Sequence, residues 1–328
     1  MKCNKENIIV ALIVAIFLTF NFIIFTSLLD IKPNEEKLKP KIVLISHVYT
    51  NPYWQYVKMG AEKAAKERGA IISYEGPNVA NAEEGVKLIN MAYASKVSGI
   101  ITYVQEEEKY IKVINKVVDA GIPLLTVDSD AEKSKRIAYI GTNNVQAGVE
   151  AAKEMIKRIG HNGNVGIIMG GKSVKNQIER VNGFKEYIEK NSNINVSDIE
   201  SSDSYLIEAE LAAKKILTNN LKIDALLCTS ALDGPGAAKA VMNMGLSGKV
   251  KIISFDDLPE TLEYIEKGII TSTVVQRPYN MGYNSVNIIM NIIEGKKEEG
   301  IYYTDVVIVG KENVDEFKKQ QGEYKNEQ

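Results

Sequence analysis

The stretches Ile42-Val-Leu-Ile45 and Thr50-Asn-Pro-Tyr-Trp54, with four residues between them, indicate a strand that leads directly into a helix. Asn51 is a good helix cap, and Pro52 suits a first helical turn, where its missing N–H needs no partner. Apolar spacing predicts an amphipathic helix from about Gln55 to Arg68. The two aromatic residues after the proline are therefore expected either to pack on the core or to line a site, since ligands bind at strand carboxyl ends in open α/β sheets.

Short β-rich runs alternate with helical stretches from Lys41 onward. Many of these runs are nearly continuous in Ile, Val and Leu, as in parallel strands that are buried on both faces. The predicted strands are 41–48, 71–74, 99–103, 123–127, 137–141, 164–169, 194–199, 225–229, 250–255, 271–275 and 305–309. Because one sheet of that size would be large, two lobes of about five or six strands each are expected.

Composition excludes some classes of function. The chain has 328 residues, enough for two lobes, and a formal net charge of -2. That charge and the absence of a large basic cluster argue against nucleic-acid binding. The sequence contains 2 Cys and 2 His, so neither a disulfide framework nor a His-rich metal site is expected.

The N-terminus carries a charge-free apolar run from Ile8 to Leu29. At about 1.5 Å per residue, a helix of this length spans a hydrocarbon core of about 30 Å. No small-x-small site follows it, which favours an uncleaved anchor over a cleaved signal peptide. Lys2 and Lys5 place the N-terminus in the cytoplasm and the rest of the chain outside the cell. The predicted segments are a cytoplasmic N-terminus at 1–7, a transmembrane signal anchor at 8–29 and a polar linker at 30–40.

Polar side chains follow several predicted strands, namely Asp128, Asn144, Asp256 and Gln276. Each could simply cap the next helix. Together they indicate a site, because strand carboxyl ends converge on one cleft. Carboxylates and amides beside aromatic faces suit a small polyhydroxyl ligand: paired acceptors engage hydroxyls, and a ring covers the C–H face of a sugar.

The chain resembles the extracytoplasmic sugar-binding proteins of the ribose-binding type, whose class I fold is shared with the lactose-repressor core. The resemblance runs from about Lys41 to Gly310. Its motifs are Asn51-Pro-Tyr-Trp54, Gly99-Ile-Ile-Thr102, Gly121-Ile-Pro-Leu-Leu-Thr-Val-Asp128, Tyr139-Ile-Gly-Thr-Asn-Asn144, Arg180-Val-Asn-Gly-Phe184, Ile253-Ser-Phe-Asp256 and Thr273-Val-Val-Gln-Arg-Pro278.

The resemblance implies an α/β fold with two Rossmann-like lobes, each built on a parallel sheet, joined by three hinge crossings and preceded here by one transmembrane helix. The first lobe would hold about 41–142 and 277–302, and the second about 143–276 and 303–319. A polar tail, 320–328, would fray. The ligand would bind between the lobes and close the hinge.

The ligand positions implied by the resemblance are Asn51, Tyr53, Trp54, Asp128, Asn144, Asp256 and Gln276. Tyr103 and Ser230 stand where the family has amides, and they complete the candidate site.

Other positions depart from the ribose binders. Ser129 replaces an Arg, and Ile178 stands at the expected position of a second Arg, two residues before Arg180. A stacking aromatic of the second lobe falls near Ser204, with Tyr205 beside it. The loss of both Arg residues argues against ribose and favours a neutral sugar, such as the pentose xylose.

Gly166–Ser173 satisfies the phosphate-loop pattern GxxxxGK[ST], which makes a nucleotide-binding protein the alternative function. The pattern is weak here because Gly166 should lie inside a strand. No Gly-x-Ser-x-Gly elbow or Cys/His pair indicates an enzyme, and His47 could line the cleft or cap its strand. No catalytic residue, metal site or cofactor is expected.

The expected partner is a monosaccharide together with a membrane protein, either an ABC permease or a sensor histidine kinase. A repressor with the same fold would need an N-terminal helix-turn-helix, and a membrane segment occupies that position instead. The anchor favours sensing over uptake.

Overall fold

The computed structural model describes residues 5–29, 38–219 and 222–326. The chain forms two compact units, Met1–Lys39 and Pro40–Gln328. In the first unit Lys5–Leu29 is one helix, α1, and large apolar side chains between 9 and 25 are exposed. Among the described residues, no helix is both long enough and apolar enough to cross a membrane. The predicted span at 8–29 thus stays unconfirmed, and most of the predicted linker lies outside the described residues.

The second unit contains two six-stranded sheets, each of which defines one lobe. All strands of lobe 1 are parallel, in the order β11-β5-β4-β3-β1-β2. Its elements are β1 (Lys41–Ile45), α2 (Pro52–Arg68), β2 (Ile71–Glu75), α3 (Ala82–Ala94), β3 (Gly99–Thr102), α4 (Glu107–Asp119), β4 (Leu124–Val127), β5 (Ala138–Thr142), α10 (Pro278–Ile293) and β11 (Gly300–Thr304).

Lobe 2 has the strand order β12-β10-β9-β8-β6-β7, in which β12 is antiparallel to β10. Its elements are α5 (Asn144–Ile159), β6 (Asn162–Met169), α6 (Lys175–Asn191), β7 (Asn193–Ser201), α7 (Leu206–Asn219), β8 (Ala225–Cys228), α8 (Asp233–Asn243), β9 (Lys251–Phe255), α9 (Pro259–Glu266), β10 (Ser272–Val275), β12 (Val307–Gly310) and α11 (Val314–Asn326).

The chain passes between the lobes three times, from β5 to α5, from β10 to α10 and from β11 to β12. These passages are the hinge crossings. The prediction of a two-lobe α/β fold built on parallel sheets is confirmed.

Two C-terminal expectations differ from the structure. The sequence predicted one strand at 305–309, whereas β11 and β12 are separate strands in different sheets. β11 was missed because it is a half-exposed edge strand without a continuous apolar run. The tail expected to fray from Gln320 continues the helix α11 to Asn326, and Phe317 anchors that helix in the core of lobe 2.

Two helix pairs approach each other closely at glycines. In lobe 2, a Cβ atom on Gly148 of α5 would lie 2.1 Å from the carbonyl oxygen of Arg180 on α6. In lobe 1, a Cβ atom on Gly60 of α2 would lie 2.0 Å from the carbonyl oxygen of Tyr279 on α10. The close crossing of α5 and α6 fixes the place of the Arg180 backbone beside the hinge.

Candidate functional site

A cavity lies between the lobes, at the carboxyl ends of their strands. Its volume is about 380 Å³, including its opening to solvent. All predicted site residues except Asn144 line it. The lining residues are His47, Asn51, Tyr53, Trp54, Tyr103, Asp128, Asn176, Gln177, Arg180, Ser204, Ser230, Ala231, Asp256 and Gln276.

Lobe 1 contributes an aromatic wall. Asn51 caps α2 by accepting a hydrogen bond from the Tyr53 amide at 3.0 Å, so the two aromatic residues occupy the first turn of that helix. The Trp54 ring meets the rings of Tyr53 and Tyr103 edge-on, with centroids 5.9 and 5.5 Å apart. Tyr53 and Trp54 also belong to the apolar core of lobe 1. Both residues therefore pack in the core and line the cavity.

Asp128 and Asp256 occupy equivalent positions in the two lobes. Each follows a buried strand and has a left-handed backbone, with φ of 65° and 67°. Each donates its backbone N–H at 2.9 Å to the next strand of its sheet, to the carbonyl of Ile140 or of Val274. Asp tolerates this conformation better than most residues. The repeated geometry brings one carboxylate from each lobe into the same cavity.

The Asp128 carboxylate joins the two lobes directly. Its Oδ1 accepts a hydrogen bond of 2.8 Å from the Tyr53 hydroxyl in lobe 1. Its Oδ2 accepts one of 2.9 Å from Nδ2 of Asn176, which lies on α6 of lobe 2. The Tyr139 hydroxyl donates to the Asp128 carbonyl at 2.9 Å and so fixes the backbone of this loop.

Arg180 corrects one expectation from the sequence. Both cleft arginines were expected to be lost, yet Arg180 lines the cavity and is 2% exposed. Ile178, placed at the position of a ligand arginine, is 38% exposed and is not a lining residue. The error arose because spacing along α6 does not show which face of the helix meets the cavity.

Three protein groups hold the Arg180 guanidinium. It donates to Asn144 Oδ1 at 2.9 Å, to the Thr229 carbonyl at 2.7 Å and to Gln276 Oε1 at 2.7 Å. It also lies 4.6 Å from the centre of the Phe255 ring, a cation–π contact. Asn144 was predicted to line the cavity, but the structure places it behind Arg180, which it supports.

Gln276 connects the cavity with the hinge. Its Oε1 accepts a hydrogen bond of 2.9 Å from Thr142, which ends β5 at the first crossing. Its Nε2 donates to Asp256 Oδ1 at 2.8 Å. Gln276 itself begins the second crossing, so one side chain ties two hinge crossings to a carboxylate of the cavity.

Burial shapes the electrostatics of the cavity. It raises the pKa of Asp256 to about 7, although the Arg180 guanidinium acts in the opposite direction. Burial also raises the pKa of Asp128. It lowers the pKa of His47 to about 4, which leaves this imidazole neutral near pH 7. One buried cation therefore faces two carboxylates whose ionised forms are disfavoured.

Three polar atoms of lining residues are buried without a hydrogen-bond partner in the described part of the chain: His47 Nε2, Asn176 Oδ1 and Ser230 Oγ. Buried polar groups are rarely left unpaired in native proteins. Together with the carboxylates and Arg180, they offer donors and acceptors for a ligand rich in hydroxyl groups.

Reasoning from strand ends missed Asn176, Gln177 and Arg180, all on the first turns of α6, and left His47 undecided. The motif that contains Arg180 was the only signal in the sequence for this helix. Alternation of apolar residues could not show that α6 begins at the cavity.

The phosphate-loop pattern does not have the geometry of a phosphate loop. Gly166 lies inside β6, where a Cβ atom would come within 2.4 Å of Ile216. A phosphate loop instead needs exposed backbone at these positions. Within the described residues, no group of three or more acidic, His or Cys side chains could hold a metal ion.

Comparison with known proteins gives consistent results. A family model described as a periplasmic binding protein domain matches residues 42–297. The D-allose-binding periplasmic protein of Escherichia coli strain K12 is 27% identical over 251 residues, which cover 74% of this chain and 81% of that protein.

Two solved structures are similar in fold and in sequence. A chain of the XylFII–LytSN complex is 56% identical, with a TM-score of 0.81, and covers 84% of this chain and 99% of its own length. GanP, a glucose-galactose binding protein from Geobacillus stearothermophilus, is 38% identical, with the same TM-score and the same coverage.

Proposed function

Because the chain belongs to the periplasmic binding protein domain family, we propose that its second unit binds one neutral monosaccharide between the two lobes and releases it chemically unchanged. The observation that carries the proposal is the pair Asp128 and Asp256, which present one carboxylate from each lobe to a single cavity. Both line this cavity together with the aromatic wall of lobe 1.

In this proposal, the sugar ring lies between the aromatic wall and Arg180. The rings of Tyr53, Trp54 and Tyr103 cover its apolar C–H surface. Asp128 and Asp256 accept hydrogen bonds from its hydroxyls, and Arg180 donates to a ring or hydroxyl oxygen. Closure of the lobes excludes water and strengthens each of these contacts.

The first candidate ligand is a pentose such as xylose. The named relatives bind allose, glucose or galactose, so hexoses belong in the same screen.

A thermal-shift and calorimetry screen of pentoses and hexoses on the full chain tests this function. We expect one sugar to raise the melting temperature, and Asp128→Asn and Asp256→Asn to weaken its binding. Stabilisation by ATP and magnesium, with no response to any sugar, would favour the nucleotide-binding alternative.

We also propose that residues 8–29 anchor the receptor in the cell membrane as a single pass, with the binding unit outside the cytoplasm. The charge-free run and the preceding Lys2 and Lys5 support this topology. Mass spectrometry of the membrane fraction should find an intact N-terminal peptide. A mature N-terminus near Asp30 would show that the segment is a cleaved signal.

For the partner we propose a membrane protein, either a sensor histidine kinase or an ABC permease. The similarity to a chain solved in a XylFII–LytSN complex supports the sensor. A tether would raise the effective concentration near either partner. Capture of the sugar-loaded receptor with a candidate sensor domain, but not with a permease, would decide for sensing.

A further inference from the structure

The N-terminus of α6, with Val174 as its N-cap, contacts lobe 1 through three consecutive residues. Val174 packs in the apolar core cluster of lobe 1. Lys175 Nζ pairs with Glu132 Oε2 of lobe 1 at 2.9 Å. Asn176 Nδ2 donates to Asp128 Oδ2 at 2.9 Å. Three consecutive residues thus cross the gap between the lobes, and Asn176 is the one that lines the cavity.

Only the nitrogen of the Asn176 amide has a hydrogen-bond partner in the described part of the chain. Its nitrogen must face Asp128, because a carboxylate accepts and does not donate. Its oxygen is buried beside the cavity and has no hydrogen-bond partner among the described residues. The residue is 2% exposed, so bulk solvent does not supply that partner. Asn176 borders two cavities, but Asp128, which holds the same amide, lines only the one with the aromatic wall, so a group in that cavity is the candidate partner.

We propose that Asn176 is the positioning residue that converts ligand occupancy into lobe closure. Its oxygen accepts a hydrogen bond from one ligand hydroxyl, while its nitrogen donates to Asp128 in the opposite lobe. This inference rests on the proposed sugar-binding function and adds to it the residue that reports an occupied cavity to both lobes.

The two hydrogen bonds of one amide support each other. A hydroxyl that donates to the amide oxygen polarises the group and strengthens the N–H bond to Asp128. Without that hydroxyl, the closed state keeps a buried acceptor unpaired, which disfavours closure. The ligand must therefore carry a hydroxyl at the position that Asn176 contacts, and an analogue without it should bind poorly and close the lobes less.

The test combines monodeoxy analogues of the bound sugar with two variants and a control. Asn176→Ala removes both hydrogen bonds. Asn176→Asp has the same shape and keeps an acceptor for the ligand, but loses the donor to Asp128 and adds a repelling charge. Lys175→Met removes the neighbouring ion pair between the lobes, and its side chain does not line the cavity. Calorimetry gives affinities, and double electron–electron resonance between one spin label on each lobe gives closure.

One deoxy analogue lacks the hydroxyl that Asn176 contacts. We expect the wild-type protein and Lys175→Met to bind this analogue about tenfold to hundredfold more weakly than the parent sugar. Asn176→Ala should bind both sugars within about twofold. Asn176→Asp should still discriminate between them, yet its labels should stay farther apart with sugar bound.

Two results would overturn the inference while leaving sugar binding intact. One is that Asn176→Ala loses as much affinity as the wild-type protein does for each of the monodeoxy analogues. The other is wild-type closure in Asn176→Asp. If the wild-type chain binds no sugar in the screen, the proposed function fails first, and the role of Asn176 falls with it.

Discussion

Trp54 has two roles that a substitution can separate. It is 2% exposed in the core of lobe 1, and its ring also lines the cavity. We expect Trp54→Ala to lower the free energy of unfolding by about 3–5 kcal/mol, the range for large aromatic truncations in a core. Trp54→Phe should retain most of the stability and still weaken sugar binding. Denaturant unfolding and calorimetry measure the two effects.

Because Trp54 is the only Trp of the chain, its fluorescence reports on the wall alone. A saturating sugar should change the emission. Unchanged emission, together with wild-type affinity in Trp54→Phe, would mean that this ring serves the core and not the ligand.

Asp256 should make sugar binding depend on pH. Burial raises its pKa to about 7, so the carboxyl is largely protonated below that pH. Hydroxyls that donate to Asp256 favour the ionised form, and binding must then release the proton. Affinity should therefore rise with pH up to about pH 7 and level off above it, with the slope confined to the acidic side.

Calorimetry in two buffers of different ionisation enthalpy should detect the released proton near pH 6. Asp256→Asn is the matched control: it should bind more weakly and show less pH dependence. An equally steep dependence in Asp256→Asn would assign the titration to another group.

The residues at strand ends could be located from the sequence because a parallel sheet gathers its carboxyl ends at one edge. Asp128, Asp256 and Gln276 followed from this rule. Asn176 and Arg180 did not, since their side chains reach the cavity from a helix whose facing depends on how the lobes pack. Asn144 follows a predicted strand as well, but it accepts a hydrogen bond from Arg180 and does not itself line the cavity.

At the level of elements, the crossing of α5 and α6 sets the position of Arg180. A Cβ atom on Gly148 would meet the carbonyl oxygen of Arg180 at 2.1 Å, so Gly148→Ala must push the helices apart. We expect a loss of about 1–3 kcal/mol in the free energy of unfolding, as for other overpacked sites. Sugar affinity should also fall, because Arg180 moves with its helix.

Gly85→Ala is the control for this prediction. It places a similar clash, 2.0 Å from the Tyr110 hydroxyl oxygen, between α3 and α4 of lobe 1, neither of which lines the cavity. Comparable destabilisation with a smaller loss of affinity would support the argument. Equal losses of affinity would show that general loosening, rather than displacement of Arg180, weakens binding.

Element types were more predictable than element ends. Continuous apolar runs identified the buried strands, because both faces of a parallel sheet are covered. The edge strand β11 lacks that signal, and α11 continues beyond Gln320 although its sequence is polar. Apolar runs therefore identify the central strands of a sheet better than its edge strands.

For the whole molecule, the hydrogen bond between Thr142 and Gln276 joins two of the three hinge crossings. Thr142→Val keeps the shape of the side chain and removes this donor. We expect it to lower the free energy of unfolding by about 1 kcal/mol. The wild-type difference in lobe separation between the sugar-free and sugar-bound states, measured with spin labels, should become smaller or less sharply defined.

Thr304→Val is a suitable control, since Thr304 lies at the third crossing and bonds the Gly141 carbonyl rather than a cavity residue. If both variants alter lobe separation equally, the Thr142–Gln276 bond has no special part in the hinge.

The contacts of Gln276 have a mechanical consequence. This side chain lies at the pivot, and it touches Arg180 and Asp256, the groups that would face a ligand. Force applied there acts on a short arm, whereas the outer rims of the lobes lie at the end of a long one. A shift of a fraction of an ångström at the pivot is thus amplified into a much larger excursion at the rims. A docking protein that grips both rims could distinguish an empty receptor from a filled one without ever approaching the sugar.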